Sequence, residues 1–459
     1  MISNSLIELD RDHLVHPVIS WRGHEETGAT VLQKAQGVYV TDSEGHESLD
    51  AFAGLWCVNV GYGHESIVEV AAEQMRRLPY ATGYFHFSSE PAIRLATRLA
   101  ELAPGDLNHA FFTLGGSDAV DSAVKLVRAY YNFTGQPEKK HFISLKRGYH
   151  GSSSVGSGLT ALPVFHEGFD LPLPWQHYIS SPYPYRHPEG SDSDTVIRDS
   201  VAELEAKVEE LGPESVAAFI AEPIQGSGGV IVPPQGWLKA MREACRRLDI
   251  LFIADEVITG FGRTGPMFAC EGEEVTPDIM TLAKGLTAGY SPMGAVLLSD
   301  PFYRAIADNA KAGAPVGHGF TYSGHPVSAA VGLEVLRLYT EGGILANGQK
   351  SAARFAQRLG ELADHPLVGD VRSRGLLAGI ELVTNKSEKT KPSPELGLSK
   401  FLAKHGYANG VIFRAFADDI IGLAPPLSIS LDEVDLMADR LTKTLNDILD
   451  IPEVRDAID

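Results

Sequence analysis

The sequence predicts an α/β fold: a large domain with a mainly parallel sheet flanked by helices, and a smaller α+β domain drawn from both termini. Three observations carry this. Short apolar runs alternate with amphipathic stretches through the middle of the chain. Those runs lack polar alternation, as strands covered on both faces do. Beyond about residue 330 the pattern changes to longer strands and one long closing helix.

Taken in order, Gly37 to Asp50 reads as a hairpin, which places the segment up to Ala53 with the smaller domain. Phe111 to Leu114 reads as a strand. Asp118 to Tyr131 reads as a helix, with Val120, Ala123, Val124 and Val127 spaced for one buried face. Further strands are predicted at Phe142 to Leu145, Val216 to Ile220, Ile250 to Ala254, Ile279 to Leu282 and Ala295 to Leu298. In the tail, Val371 to Val383 and Gly410 to Phe416 read as strands, and Leu431 to Leu449 as the closing helix. Residues 181–194 and 384–397 are polar and proline-containing, and read as long surface loops. The expected domains are 1–53, 54–329 and 330–459, the first and last forming one unit.

Composition narrows the function. The chain has 459 residues, 44% hydrophobic and 21% charged, which fits a globular chain with a large core and excludes a disordered or coiled-coil protein. Its net charge of −20 argues against unspecific binding to nucleic acid or an anionic membrane. Cys57, Cys245 and Cys270 form no CxxC pair, so reduced thiols in a cytoplasmic protein are expected. Met1 to Arg11 does not read as a signal peptide. No apolar run reaches the roughly 18 residues that a membrane span needs.

Several residues stand where ligands bind in open α/β sheets, at the carboxyl ends of strands. Gly115-Gly116-Ser117 lies between a strand and a helix. It is either a tight turn capped by Ser117 or a cradle for a phosphate at a helix start. Asp255 ends an apolar strand, and a carboxylate there needs a partner: an Arg or Lys, or a protonated ring nitrogen. Lys284 sits in the largely apolar run Pro277 to Gly285. Such surroundings lower a lysine pKa, and the neutral amine can attack a carbonyl. Tyr149 follows another strand and either packs in the core or stacks on a planar ligand. Beside it, His150 has no second ligand at metal-binding spacing, so no metal site is expected. Together, a phosphate loop, a stacking aromatic, a strand-end Asp and a strand-end Lys are the parts that hold pyridoxal phosphate.

The chain resembles the class III pyridoxal phosphate-dependent aminotransferases, or ω-transaminases of the amine/ω-amino acid:pyruvate type, which have fold type I. The resemblance runs over nearly the whole chain. It is most specific in residues 250–265, ILFIADEVITGFGRTG, followed by Pro277-Asp278 and Ala283-Lys284-Gly285. LWCVNVGYG at 55–63, Tyr149-His150-Gly151, Glu222-Pro223-Ile224-Gln225 and HGFTYSGHP at 318–326 also match.

The resemblance implies that Lys284 forms the internal aldimine and moves the substrate proton. Asp255 pairs with the pyridine nitrogen, Val257 and Tyr149 cover the ring faces, and His150 sits beside them at the cofactor. Gly116 and Ser117 hold the phosphate, with Thr321 from a partner subunit. Glu222 and Gln225 orient the hydroxyl region of the ring. Trp56, Phe85, Tyr149, Ser227 and Phe320 line the substrate pocket, and Arg414 matches an arginine that grips a substrate carboxylate. An obligate homodimer follows, with an amine donor and a keto acid acceptor, pyruvate by preference.

The chain departs from the family at Gly115 and Asp118, where Ser and Glu are usual, and at Ser227, where Ala is frequent. Still open are a mutase or decarboxylase of the same fold and a catalytically silent cofactor-binding protein. A nicotinamide dehydrogenase would need GxGxxG after a strand, which is missing.

Overall fold

The computed structural model describes residues 5–190, 192–311 and 314–458. Residues 1–4 of the N-terminal run, residue 191 of the proline-containing stretch and residue 459 lie outside the described residues.

The centre is a seven-stranded sheet. Its spatial order is His109–Thr113, Gly294–Leu298, Ile279–Leu282, Leu251–Asp255, Val216–Ala221, His141–Leu145 and Gln176–Ile179. Gly294–Leu298 runs antiparallel to both its neighbours, and the other pairings are parallel. The remaining six strands therefore all point one way, and their carboxyl ends share one edge. Val216–Ala221 is buried at every position. Alternate residues serve opposite faces: Phe219 and Ala221 pack in one apolar cluster, Ala218 and Ile220 in the other. Both faces are covered, which is why these strands show no alternation in the sequence. The helix Gly116–Phe133 covers the second face with Ala119, Val120, Ala123, Val124 and Val127.

Two further sheets flank this core. One pairs Leu32–Gln36, Tyr39–Asp42 and Glu47–Asp50 with Val411–Ile412. The other orders Val368–Arg374, Leu377–Leu382, Ile420–Leu423 and Arg414–Ala415. The closing helix spans Leu431–Leu449, begun by a capping box between Ser430 and Glu433.

Three expectations are corrected. Val371 to Val383 is not one strand but part of a hairpin, turned at Gly375, where φ is 61° and a Cβ would collide with the Thr264 backbone. Gly410 to Phe416 divides between two sheets: Val411–Ile412 pairs parallel with Leu49 and Asp50, and Arg414–Ala415 pairs antiparallel with the Ile420–Leu423 strand. Residues 181–194 do not form a plain surface loop. Tyr183 is buried and its hydroxyl donates to Glu381, while Arg186 makes a 2.7 Å ion pair with the same carboxylate. Buried Glu381 needs these donors, and they hold the segment down. Its last residues begin the helix Ser193–Leu211, capped by Asp192.

Candidate active site at one edge of the sheet

The shared edge brings the strand-end residues together. Asp255 is the last residue of its strand, and Glu222 directly follows Val216–Ala221. Lys284 opens a short turn two residues past Ile279–Leu282, at φ 44°, a backbone conformation that costs a non-glycine residue about 1 kcal/mol or more. Gly116 starts the long helix beyond His109–Thr113, so unpaired N–H groups face the edge. A Cβ on Gly116 would lie 3.0 Å from Val257, so the glycine lets helix start and Val257 approach closely. Ser117 Oγ accepts from the Ser152 N–H at 3.1 Å, which ties this helix start to the Tyr149-His150-Gly151 turn.

A buried polar chain joins these groups. His150 Nδ1 lies 2.7 Å from Asp255 Oδ2. Asp255 Oδ1 accepts from the Thr281 hydroxyl at 3.0 Å and from the Val257 N–H at 3.2 Å. Glu222 accepts the Tyr149 N–H through Oε1 at 2.9 Å and the Gly226 N–H through Oε2 at 2.8 Å. Burial pushes the Glu222 carboxyl up to about 7, with Asp255 adding and His150 opposing. Burial pulls the Lys284 ammonium below its ordinary pKa, while Asp255, Glu222 and Cys57 pull the other way. The amine is thus placed where its neutral form is accessible.

A second group of residues forms an apolar wall. Trp56 is buried, edge-on to Phe52 and Phe416 at centroid distances of 5.3 and 6.4 Å. A Cβ at Gly226 would clash with the Trp56 ring and with Ile258, so Gly226 brings the Glu222–Ser227 turn against this wall. Ser227, next in the chain, is half-buried. Arg414 is exposed, and its guanidinium lies over the Phe416 ring, 5.6 Å from its centroid.

Three candidate residues lie elsewhere in this chain. Phe85 is 82% exposed, and Thr321 is exposed, its carbonyl accepting from the Tyr80 hydroxyl at 3.0 Å. Phe320 packs on Phe111 and His318. Sequence reasoning missed Thr281, Ile258 and Phe416. Thr281 had a signal, as a hydroxyl inside an apolar strand two residues from the Ala283-Lys284 step. Phe416 had none, because only the fold brings it to Trp56.

The donor set fits pyridoxal phosphate. A glycine cradle and helix start face the edge, Asp255 is buried beside it, and Gln225 Oε1 is a buried acceptor without a hydrogen-bond partner that a ring hydroxyl would satisfy. The sheet and this edge define a fold type I pyridoxal phosphate-dependent transferase. Comparison with known proteins narrows it. The family model for class III aminotransferases matches residues 21–445. The chain is 44% identical to a putrescine–pyruvate aminotransferase of Pseudomonas aeruginosa, over 95% of each sequence. Among solved structures, an (S)-enantioselective ω-transaminase from Thermomicrobium roseum is 41% identical with a TM-score of 0.94, covering 97% of this chain and 98% of that one. A Pseudomonas jessenii ω-transaminase in complex with PMP is 40% identical with the same TM-score, over 97% and 98%. The chain belongs to the class III aminotransferases. It is an enzyme that uses pyridoxal phosphate to transfer an amino group from an amine donor to a keto acid. Among the described residues, no helix is long and apolar enough to cross a membrane.

Proposed function

We propose that the donor is a primary amine without a carboxylate next to the reacting carbon, and that the acceptor is pyruvate. The carrying observation is Arg414. Among the described residues it makes no ion pair, and it rests on Phe416 at the Trp56 wall. An unpaired guanidinium beside an apolar surface serves two substrates in turn: it meets the acceptor's carboxylate, and it stays against Phe416 while an apolar donor tail occupies the wall. The similarity to the putrescine–pyruvate enzyme supports this reading.

Bound pyridoxal phosphate supplies an aldehyde for the amine and an electron-poor ring that stabilises charge on the reacting carbon. Lys284 Nζ would hold the aldehyde end, and would then move the proton from the donor carbon to the cofactor, with the reverse transfer for the acceptor. The Asp255 carboxylate would accept from the ring nitrogen and keep it protonated, and His150 and Thr281 fix that carboxylate. Val257 and Tyr149 bracket the ring. Gly116 and Ser117 hold the phosphate, and Glu222 with Gln225 sets the ring hydroxyl. Trp56 and Ser227 shape the donor pocket.

The enzyme works as a cytoplasmic homodimer, in which Phe85, Phe320 and Thr321 act at the partner's site. The free Cys57, Cys245 and Cys270 fit a reducing compartment, and exposed Phe85, Phe87 and Tyr322 are apolar surface for a second copy to cover. The described residues of 1–53 and 330–459 form the smaller domain around those of 54–329.

Steady-state kinetics of Arg414→Ala test the substrate reading. Pyruvate KM rises about 10-fold or more, as expected for losing a charge-assisted pair of roughly 1.5–3 kcal/mol, while KM for an uncharged aryl amine changes little. Equal effects on both substrates would remove Arg414 from acceptor binding.

A further inference from the structure

Far along the chain from the sheet edge residues, the N-terminal segment assembles three ligand-type side chains. Asp10 lies in the helix Leu6–His13, His24 lies in the helix Trp21–Thr27, and His16 lies on the link between them. His16 Nε2 is 2.9 Å from Asp10 Oδ1, and His24 Nε2 is 3.1 Å from Asp10 Oδ2. One donor atom from each residue lies within 4.8 Å of the others. The two imidazole rings are 4.4 Å apart, tilted by 49°.

The His24 contact is the informative one. Only 8% of the His24 side chain and 13% of the Asp10 side chain is exposed. Yet His24 Nε2 and Asp10 Oδ2 are both buried without a hydrogen-bond partner, although they face each other across 3.1 Å. They are close, but their directions do not make a hydrogen bond, and leaving such groups unsatisfied is costly. Two atoms that each sit about 2.0–2.2 Å from one cation lie roughly 2.8–3.1 Å apart at octahedral angles and roughly 3.3–3.6 Å apart at tetrahedral ones. Both short distances in the cluster, 2.9 and 3.1 Å, fall at the octahedral edge length.

The segment has little else to hold its shape beyond the Arg11 guanidinium, which donates to the Glu26 carbonyl at 3.3 Å, and the packing of Ile7 at Gly28. The two helices have 8 and 7 residues, and neither buries an apolar side chain. Helices this short do not persist without a tertiary partner. Leu14, Val15, Val18 and Trp21 on and around the link are exposed, so no apolar core closes it.

We propose that Asp10, His16 and His24 form a structural site for a divalent first-row transition ion, zinc above all, which staples the two N-terminal helices together. Two imidazoles and one carboxylate suit zinc, and water takes the remaining positions. The site lies in residues that the transamination chemistry does not use. Sequence spacing does not announce it, because the ligands meet only once the link folds one helix back on the other.

The test uses chelator-treated holoenzyme dialysed against zinc, with bound metal quantified per chain. One zinc per chain is expected, with a higher Tm on zinc addition. In the double variant His16→Ala/His24→Ala, zinc affinity falls more than about 100-fold, because even outer-sphere changes at metal sites cost 10–100-fold. The zinc-dependent rise in Tm disappears with it. Asp10→Asn, which keeps the side-chain shape, loses zinc in the same way and covers the case in which the double variant misfolds. The cofactor absorbance band on the same samples reports a loaded, folded enzyme. Zinc binding that is equal in wild type and variants, or absent from wild type, overturns the proposal and leaves a polar His–Asp–His contact only.

Discussion

At the scale of single residues, Glu222 has the sharpest consequence. It is buried, accepts two backbone N–H groups, and has no basic side chain bonded to it. Its carboxyl is pushed from its ordinary 4.5 up to about 7, chiefly by burial. Between those values the folded protein holds a proton that the unfolded chain releases. The folded state is therefore favoured below 4.5 and loses that advantage as pH rises through about 7. In the apoprotein, the unfolding free energy of wild type minus that of Glu222→Gln should fall by up to about 3 kcal/mol across this window and then level off. Urea melts at a series of pH values measure it, and a flat difference would show that Glu222 ionises normally. Lys284 and Asp255 were legible because each is a charged residue at the end of a largely apolar run. The bond from His150 to Asp255 was not legible, because 105 residues separate them.

At the scale of elements, the turn that carries Trp56 depends on Asp50. Ala53, Gly54 and Trp56 have φ values of 48°, 68° and 60°, which two of these residues adopt only under constraint. Asp50 supplies the constraint. Its Oδ1 accepts from the Phe52 N–H at 3.0 Å, and its Oδ2 accepts from the Gly54 N–H at 2.6 Å and the Tyr62 hydroxyl at 2.7 Å. Asp50→Ala removes all three and should cost about 2–3 kcal/mol in unfolding free energy. Because Trp56 is released while Lys284 is untouched, KM for bulky apolar amines should rise more than kcat falls. Kinetics with a large and a small amine check this, and equal KM changes would separate Asp50 from the pocket. The hairpin over residues 37–50 was readable from its pattern. The turn after it was not, since its conformation is imposed by a buried carboxylate rather than by turn residues.

At the scale of the whole molecule, Arg263 joins the parts. Its side chain is fully buried, with no carboxylate hydrogen-bonded to it. It donates to the Leu376 carbonyl at 3.0 Å, the Pro425 carbonyl at 2.6 Å and Asn59 Oδ1 at 2.8 Å. Burial lowers its pKa only to about 10, so it stays charged at neutral pH. One cation thus bridges the loop after the Leu251–Asp255 strand, the C-terminal sheet and the N-terminal turn. Arg263→Met should destabilise the protein by about 3 kcal/mol or more, because charge-assisted bonds are lost and buried acceptors are left unmade. Denaturant unfolding measures it, and a loss under about 1 kcal/mol would show that water replaces the guanidinium.

The sequence by itself determined the α/β class, the strand-end residues and the family. Those follow from local facts: an apolar run, the polar residue that closes it, and the order of such runs along the chain. Only the tertiary structure decided that Phe416 and Arg414 stand at the Trp56 wall, that Gly410 to Phe416 serves two sheets, and that Asp10, His16 and His24 meet. Each of these rests on chain closure between segments whose own residues state no preference for one another. Burial and backbone strain, which select among such pairings, exist only once the chain has folded.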